Sequence, residues 1–328
     1  MLLSRRALTK MLWAGVASAP LALMPRMAKA AYPDRAVRLV VPFAAGGNAD
    51  IQGRIIAEQM QKLLNRPVVI ENRGGAGGGI GAEVVARSAP DGYTLLVGSN
   101  GPMTVNPILQ KTSYDTFRDF APVALTSYVP HVLILHPKVA AASVAELVAL
   151  SKAEALNIGM AGIGSATHMT LERFKAATGA QITAVPYRSG GALAPDLIGG
   201  AIHGAFTEFS TGLPLHKEGL GKIIAVAADN RHPDAPDIPT MIEGNANVTA
   251  ESFIGVLAPA ATPKDILVTL EQAIVHGMSE NAAVVRVRGL GAIVASPERL
   301  SAKGLADYLK MDYERTLAAA KGAGLDKG

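Results

Sequence analysis

The chain has 328 residues, of which 49% are hydrophobic and 18% charged, a composition typical of globular proteins that excludes a largely disordered chain. Its net charge of +4 comes from residues 1–30, because the rest of the chain carries 26 basic against 27 acidic residues and so offers no basic face for nucleic acid. The sequence contains no cysteine, which excludes disulfides, thiol nucleophiles, thiolate metal sites and a lipoprotein anchor.

The first thirty residues have the pattern of an export signal. A basic segment precedes the apolar stretch 11–24, and Ala28-Lys29-Ala30 supplies the small residues of a cleavage site near Ala30. The segment "SRRALTK" (4–10) resembles a twin-arginine signal, with an ordinary secretory signal as the alternative. Because no apolar run reaches membrane-spanning length, we predict a mature chain that is soluble in the periplasm.

From Tyr32 onward, short apolar runs alternate with helical stretches, the signature of parallel α/β units. The pattern predicts strands at 37–43, 67–72, 93–100, 131–137, 182–187, 222–228 and 252–259, and helices at 49–65, 143–153, 263–278 and 297–320. Two α/β lobes fit this order best: 31–130 plus 252–328 form lobe 1, and 131–251 form lobe 2. The chain would cross between them near 125–131 and 240–252, with a ligand cleft where the carboxyl ends of strands face each other.

The junction "RLVVPFAAGGNAD" (38–50) reads as a strand that runs into a helix start. Gly46 and Gly47 allow positive φ and close approach of a ligand. Gly47 or Asn48 can cap the helix, and Asp50 can bond back to a free N–H. A helix N-terminus suits an anion, although a capped helix without ligand is the alternative. A phosphate-binding P-loop is excluded, because no Gly-Lys-Ser/Thr follows.

The stretch "GGAGGGIGAE" (74–83) offers Gly77-x-Gly79-x-x-Ala82, a loose match to the dinucleotide fingerprint. The acid expected about twenty residues later is absent, because the next strand ends in Ser99-Asn100. We therefore favour a glycine-lined turn over a nucleotide site.

A third glycine-rich loop, "AGIGSATHM" (161–169), again leads into a helix. Gly162 and Gly164 free the backbone, and Ser165, Thr167 and His168 offer donors. Ser165 and His168 lack a nucleophile elbow, so an exported α/β hydrolase is a less favoured alternative. The other histidines show no metal-ligand spacing, and we predict no metal site and no cofactor.

Tyr187-Arg188-Ser189-Gly190 forms a fourth loop at a strand end. Arg188 can bind a carboxylate through two hydrogen bonds, with a solvated surface arginine as the alternative. Several loops of this type, in both predicted lobes, indicate a cleft lined by backbone donors.

Taken together, the chain resembles the extracytoplasmic receptors of tripartite tricarboxylate transporters, the TctC or Bug family. The likeness is carried, in order, by residues 32–50, 67–101, 114–125, 161–169, 185–200 and 253–266. The resemblance implies a periplasmic binding protein of type II-like fold that is not an enzyme. It would close as a monomer on a small mono- or dicarboxylate and deliver it to membrane permease subunits. A sensor that feeds a membrane kinase needs the same cleft and is the alternative.

The resemblance also implies a set of binding residues. In the family, the loop matching Phe43 to Asp50 meets one ligand carboxylate, and three further segments border the cleft. The residues implied are Phe43, Ala44, Gly47, Asn48, Ala49, Asp50, Ser99, Asn100, Gly162, Gly164, Ser165, Ala166, Thr167, His168, Tyr187, Arg188 and Thr207. Ala44 stands where the family usually has proline, and Thr207 where many members have an aspartate that pairs with an ammonium group. An amino-acid ligand is therefore not expected, unless Glu208 turns inward.

Overall fold

The structure is a computed structural model that describes residues 32–322 and 325. The predicted export signal over 1–30, with its cleavage near Ala30, lies outside the described residues. The strands are β1 (Val37–Val41), β2 (Val68–Asn72), β3 (Thr94–Gly98), β4 (Phe120–Leu135), β5 (Leu156–Met160), β6 (Ile182–Pro186), β7 (Gly204–Glu208), β8 (Lys222–Val226), β9 (Glu251–Pro259) and β10 (Ile293–Val294).

The helices follow the alternation that the sequence predicts. They are α1 (Asn48–Leu64), α2 (Gly79–Ala86), α3 (Asn106–Leu109), α4 (Val144–Ala153), α5 (Ala166–Thr178), α6 (Gly190–Gly199), α7 (Phe209–Lys217), α8 (Lys264–Ser279), α9 (Asn281–Gly289) and α10 (Ala302–Gly322). None of the helices in the described part of the chain has the length and apolar character needed to cross a bilayer.

The strands form one mixed sheet in the order β2-β1-β3-β9-β4-β7-β5-β6, and β8 and β10 also pair with β4. β1 is parallel to β2 and β3, and β5 is parallel to β6 and β7. The long strand β4 belongs to both halves: Phe120–Pro130 pairs with β9, and His131–Leu135 pairs with β7. The helices α1, α5 and α6 each begin just after the carboxyl end of a parallel strand, which directs their N-termini toward the middle of the sheet.

Two details of the predicted elements were wrong. The strand predicted at 131–137 begins at Phe120, because the pairing with β9 continues past two register shifts, near Pro122 and Ser127, that break the apolar pattern. The last predicted helix begins at Ala302 instead of 297, since the backbone turns at Ser296–Ser301 and the Ser301 hydroxyl accepts a hydrogen bond from the Gly304 N–H at 3.0 Å.

The apolar core falls into two clusters. One contains only residues between Leu133 and Ala250, including the neighbouring rings of Phe174 and Phe206, whose centroids lie 5.3 Å apart. The other holds the buried side chains of β1, β3, β9, α1 and α8, and extends into β4 and α7. The boundaries predicted for the lobes, after residues 130 and 251, stay a prediction.

Candidate functional site

The start of α1 follows the end of β1 and a sharp turn at Gly46, and the Asp50 carboxylate bonds back to this turn. Gly46 has a φ of +85°, as predicted, whereas Gly47 has a φ of −87°, so the prediction of positive φ was wrong for Gly47. It is the N-cap of α1, a position that takes extended backbone. The Asp50 carboxylate accepts from the Gly46 N–H at 3.0 Å and from Asn72 Nδ2 at 3.0 Å. Asp50 therefore holds the loop in place.

The second helix start uses hydroxyl caps. The Ser165 hydroxyl, at the N-cap of α5, accepts from the His168 N–H at 3.1 Å. The Thr167 hydroxyl accepts from the Ala161 N–H at 3.0 Å. Gly162, with a φ of +103°, accepts at its carbonyl from the Ser165 N–H. The N–H of Ala166, the first residue of the helix, has no carbonyl of a preceding turn to bind.

The third helix start packs against the first. The Ser189 hydroxyl caps α6 by accepting from the Ala192 N–H at 3.1 Å. A Cβ atom added at Gly191 would lie only 2.6 Å from the Gly46 carbonyl oxygen, so glycine is required for this approach. Helix starts from different halves of the sheet thus meet at one place.

These helix starts border a common cavity. It is lined by Phe43, Gly47, Asn48, Ala49, Ser99, Gly101, Ala161, Ser165, Ala166, Ser189, Gly190, Glu208, Ser252 and Ile254. Among the described residues that line it, none is Lys, Arg or His. The positive potential here comes from backbone N–H groups and helix dipoles, which attract anions.

Ser99 brings an unused hydrogen-bonding group to this cavity. The side chain is buried, and its hydroxyl has no partner within the described part of the chain. A buried hydroxyl without a partner costs free energy. A polar ligand in the cavity would supply that partner.

Glu208 is the acidic group of the cavity lining. Its Oε1 accepts from the Ser252 hydroxyl at 3.3 Å, and its Oε2 lies 3.5 Å from the Thr207 hydroxyl. Burial raises the pKa of Glu208, and the hydrogen bonds oppose that shift only in part. No residue in the described range forms an ion pair with it. Glu208 turns inward into the cavity, so Thr207 alone no longer argues against an amino-acid ligand.

The structure places the other predicted residues around the cavity without lining it. They are Ala44, Asp50, Gly162, Gly164, Thr167, His168, Tyr187, Arg188 and Thr207. His168 Nδ1 accepts from the Gly164 N–H at 3.3 Å, and burial lowers its pKa. The Tyr187 hydroxyl donates to the Asp196 carboxylate at 2.6 Å, while Arg188 is exposed.

Asn100 lines a neighbouring cavity, which shares Ala166 with the first. Its Nδ2 donates to the Asp312 carboxylate at 2.8 Å, and the Thr104 hydroxyl donates to the same oxygen at 2.6 Å. Its Oδ1 accepts from the Phe253 N–H at 2.9 Å. Asn100 therefore joins α10 to β9 through bonds that are already satisfied.

Seven lining residues were absent from the predicted set: Gly101, Ala161, Ser189, Gly190, Glu208, Ser252 and Ile254. Ser189 and Gly190 carried the same signal as the other loops, a cap residue and glycine before a helix, and could have been included. Ser252 and Ile254 lie on β9, far away in sequence, and carry no local signal.

Ser165, the hydroxyl considered as a nucleophile, is not paired with a base. The Ser165 hydroxyl contacts the Thr167 hydroxyl and the His168 N–H, and the His168 ring bonds elsewhere. In residues 32–322 and 325, no cluster of three or more His, Cys, Asp or Glu side chains is placed to hold a metal ion.

The chain has two α/β halves that share β4, and helix N-termini from both halves border one cavity. This is the fold of a periplasmic binding protein. The model of the tripartite tricarboxylate transporter family receptor matches residues 53–299. The chain is 34% identical to Protein BugT of Bordetella pertussis, over 82% of this chain and 84% of that protein. It belongs to this receptor family, as the resemblance implied.

Two solved structures show the same fold with a ligand named. MatC from Rhodopseudomonas palustris, with bound malate, is 31% identical, with a TM-score of 0.85 over 88% of this chain and 99% of that one. A protein of R. palustris with adipate is also 31% identical, with a TM-score of 0.85 over 89% and 98% of the two chains.

Proposed function

We propose that this protein captures a small organic mono- or dicarboxylate in the periplasm and presents it to the membrane permease subunits of a tripartite transporter. One observation carries the proposal: the starts of α1, α5 and α6 line a single cavity without a cationic side chain among its described residues. Such a site binds an anion through main-chain N–H groups and helix dipoles. The malate and adipate in the two similar structures agree with this chemistry.

Capture would proceed by closure of the two halves around the ligand. Asn48 and Ala49 approach from one half, and Ala166 and Gly190 from the other, so the ligand carboxylate binds both halves only in the closed form. A ligand shifts an equilibrium toward the form that it binds more tightly. The closed form is then the form that the permease recognises.

Thermal unfolding with a panel of organic acids tests the proposal. An acid present at about 100 times its Kd should raise the free energy of unfolding by about 2.7 kcal/mol. Acetate, malate and adipate, with neutral amides of the same carbon skeletons as controls, separate recognition of the carboxylate from recognition of the chain. If folded protein responds to none of the acids, or equally to the amides, the proposal fails.

A further inference from the structure

Glu208 lies among the groups that attract the ligand's negative charge. It is the last residue of β7 and the N-cap of α7. A Cβ atom added at Gly190 would lie 3.1 Å from its Oε2, which places the carboxyl group beside the start of α6. A bound carboxylate and Glu208 would therefore share one cavity.

Two carboxylates in one enclosed site cannot both stay ionised at low cost, because each raises the pKa of the other. Either the ligand brings a cation or one carboxyl group holds a proton. An ammonium group has three N–H donors, and each of them needs a hydrogen-bond acceptor. Glu208 is the only acidic side chain among the described lining residues, so an ammonium group would have to find two further acceptors in the lining. The surroundings of Glu208 therefore favour a protonated carboxyl group over a ligand that carries an ammonium group.

A chain of hydrogen bonds behind Glu208 accommodates such a proton. The Ser252 hydroxyl lies 2.8 Å from His131 Nε2 and 3.3 Å from Glu208 Oε1. His131 Nδ1 lies 2.6 Å from the Thr170 hydroxyl, which lies 3.0 Å from the Ala166 carbonyl oxygen. Every group in this chain has a partner on both sides.

The hydrogens of this chain have two complete arrangements when His131 is neutral. With Glu208 ionised, Thr170 donates to His131 Nδ1, Nε2–H donates to Ser252, and Ser252 donates to Glu208. With Glu208 protonated, all three bonds reverse: Glu208 donates to Ser252, Ser252 donates to Nε2, and Nδ1–H donates to Thr170, which donates to the Ala166 carbonyl. Both protonation states of Glu208 are thus satisfied without moving a heavy atom.

We propose that Glu208 takes up one proton from solvent when a carboxylate binds, and donates it in a hydrogen bond to the Ser252 hydroxyl. The site then accepts a carboxylate that carries no cationic group, together with a proton. This inference rests on the proposed function, because it needs a carboxylate in the cavity.

Other titratable groups lie on the elements around Glu208 and would contribute to a pH profile. They are Asp50 on α1, His131 on β4, His168 on α5, Glu251 on β9 and His232, whose ring stacks on Phe209 of α7. Burial lowers the pKa of His131 to about 3 and also lowers the pKa values of His168 and His232. Burial opposes the shift at Asp50, but hydrogen bonds from Arg54, Gly46 and Asn72 lower its pKa.

Glu251 is the neighbour that requires a control. Burial raises its pKa, and it lines the adjoining cavity, so its own protonation also contributes to a pH profile. The comparison of wild type with Glu208→Gln removes this contribution. Glutamine keeps the size of the side chain and donates an amide N–H to Ser252 without titrating.

Calorimetric titration with malate and with adipate between pH 6.5 and 8.5, where both acids are ionised, tests the inference. In the wild type, Kd should rise about tenfold for each pH unit between the pKa of unliganded Glu208 and its pKa in the complex, because in that range the proton is bound only in the complex. Repeating the titration in two buffers of different ionisation enthalpy should show uptake approaching one proton per ligand. Glu208→Gln should lose the part of the pH dependence and of the proton uptake that Glu208 supplies, and Glu218→Gln, exposed at the end of α7, should behave as wild type.

The outcomes separate this inference from the proposed function. Binding with a constant Kd and no proton uptake overturns the role of Glu208 and leaves carboxylate capture intact. Tighter binding of the amino acid glutamate than of either diacid, lost in Glu208→Gln, overturns it too, since Glu208 would then be a counter-ion. If no acid on the panel binds at any pH, both proposals fail.

Discussion

Two neighbouring cavities in this protein each contain a buried carboxyl group, and the two carboxyl groups differ in their hydrogen bonding. Asp312, in the cavity behind β9, accepts from Asn100 at 2.8 Å and from Thr104 at 2.6 Å, with Arg315 at 4.0 Å. Glu208, in the cavity of helix starts, has two hydroxyl neighbours at the longer distances of 3.3 and 3.5 Å. Burial raises the pKa of both.

The difference between the two carboxyl groups shows which cavity has hydrogen-bonding groups that are free to bind a ligand. The Asp312 network is satisfied within the protein, so it stabilises the fold and has little to offer a ligand. The Glu208 cavity holds first-turn N–H groups, the Ser99 hydroxyl without a partner and a weakly bonded carboxyl group. Substitutions in the first region should change stability, and substitutions in the second should change affinity.

The largest expected effect is on the satisfied network. Asp312→Ala leaves the Asn100 amide and the Thr104 hydroxyl without their acceptor, and should lower the free energy of unfolding in urea by about 3 kcal/mol. Affinity for the best acid of the panel should change less than about twofold. The exposed Asp307→Ala on the same helix is the control. A tenfold loss of affinity at unchanged stability would place the ligand in the Asp312 cavity instead.

Removing one main-chain donor tests the cavity of helix starts directly. Ala166→Pro deletes the first N–H of α5 at a position that proline favours, and Ser165 has the extended backbone (φ −87°, ψ 164°) that a following proline needs. Affinity should fall about tenfold, about 1.4 kcal/mol, with little change in stability. Lys264→Pro, at the exposed first position of α8, should bind as wild type. Equal affinities for the two variants would contradict backbone recognition.

A smaller effect is expected at Ser99. Ser99→Ala should weaken binding about threefold while stability stays within about 0.5 kcal/mol, because the hydroxyl has no bond to lose in the free protein. Ser210, on α7, has a buried hydroxyl that also lacks a partner among the described residues and does not line the cavity. Ser210→Ala is therefore the matched control, and isothermal titration of both variants decides. Unchanged affinity for Ser99→Ala would show that the ligand does not reach this wall.

The smallest effect should come from Arg188. Its side chain is exposed and outside the cavity lining, so Arg188→Ala should change affinity for acetate and adipate by less than about twofold. A loss confined to the dicarboxylate would show that Arg188 swings onto the second carboxylate. Titrations at 0.05 and 0.5 M salt separate such a contact from long-range attraction.

Much of the fold could be predicted from the sequence, because periodicity and caps are local signals. The helix starts at Gly47, Ser165 and Ser189 follow from small polar residues placed between an apolar strand and a helical pattern. The continuous β4 could not be predicted, since its first half is held by pairing with β9, more than a hundred residues later.

The site was predictable only where its groups are local. Backbone donors follow from the helix starts themselves, whereas the direction of a side chain depends on tertiary packing. His168 Nδ1, for example, accepts from the Gly164 N–H of its own loop, and its role as a ligand contact stays a prediction. No local sequence signal distinguishes Ser252 from other strand residues. Its hydroxyl contacts Glu208 because the fold brings β9 next to the end of β7.

The strand shared by both halves has a mechanical consequence. Because β4 continues through His131 as one strand, a rotation of one half against the other would twist this strand. The irregularities beside Pro122 and Ser127 are places where the ladder is already loosened. Opening would then twist β4 at these two places, and Ser127 pairs directly with Ile254 of the cavity lining.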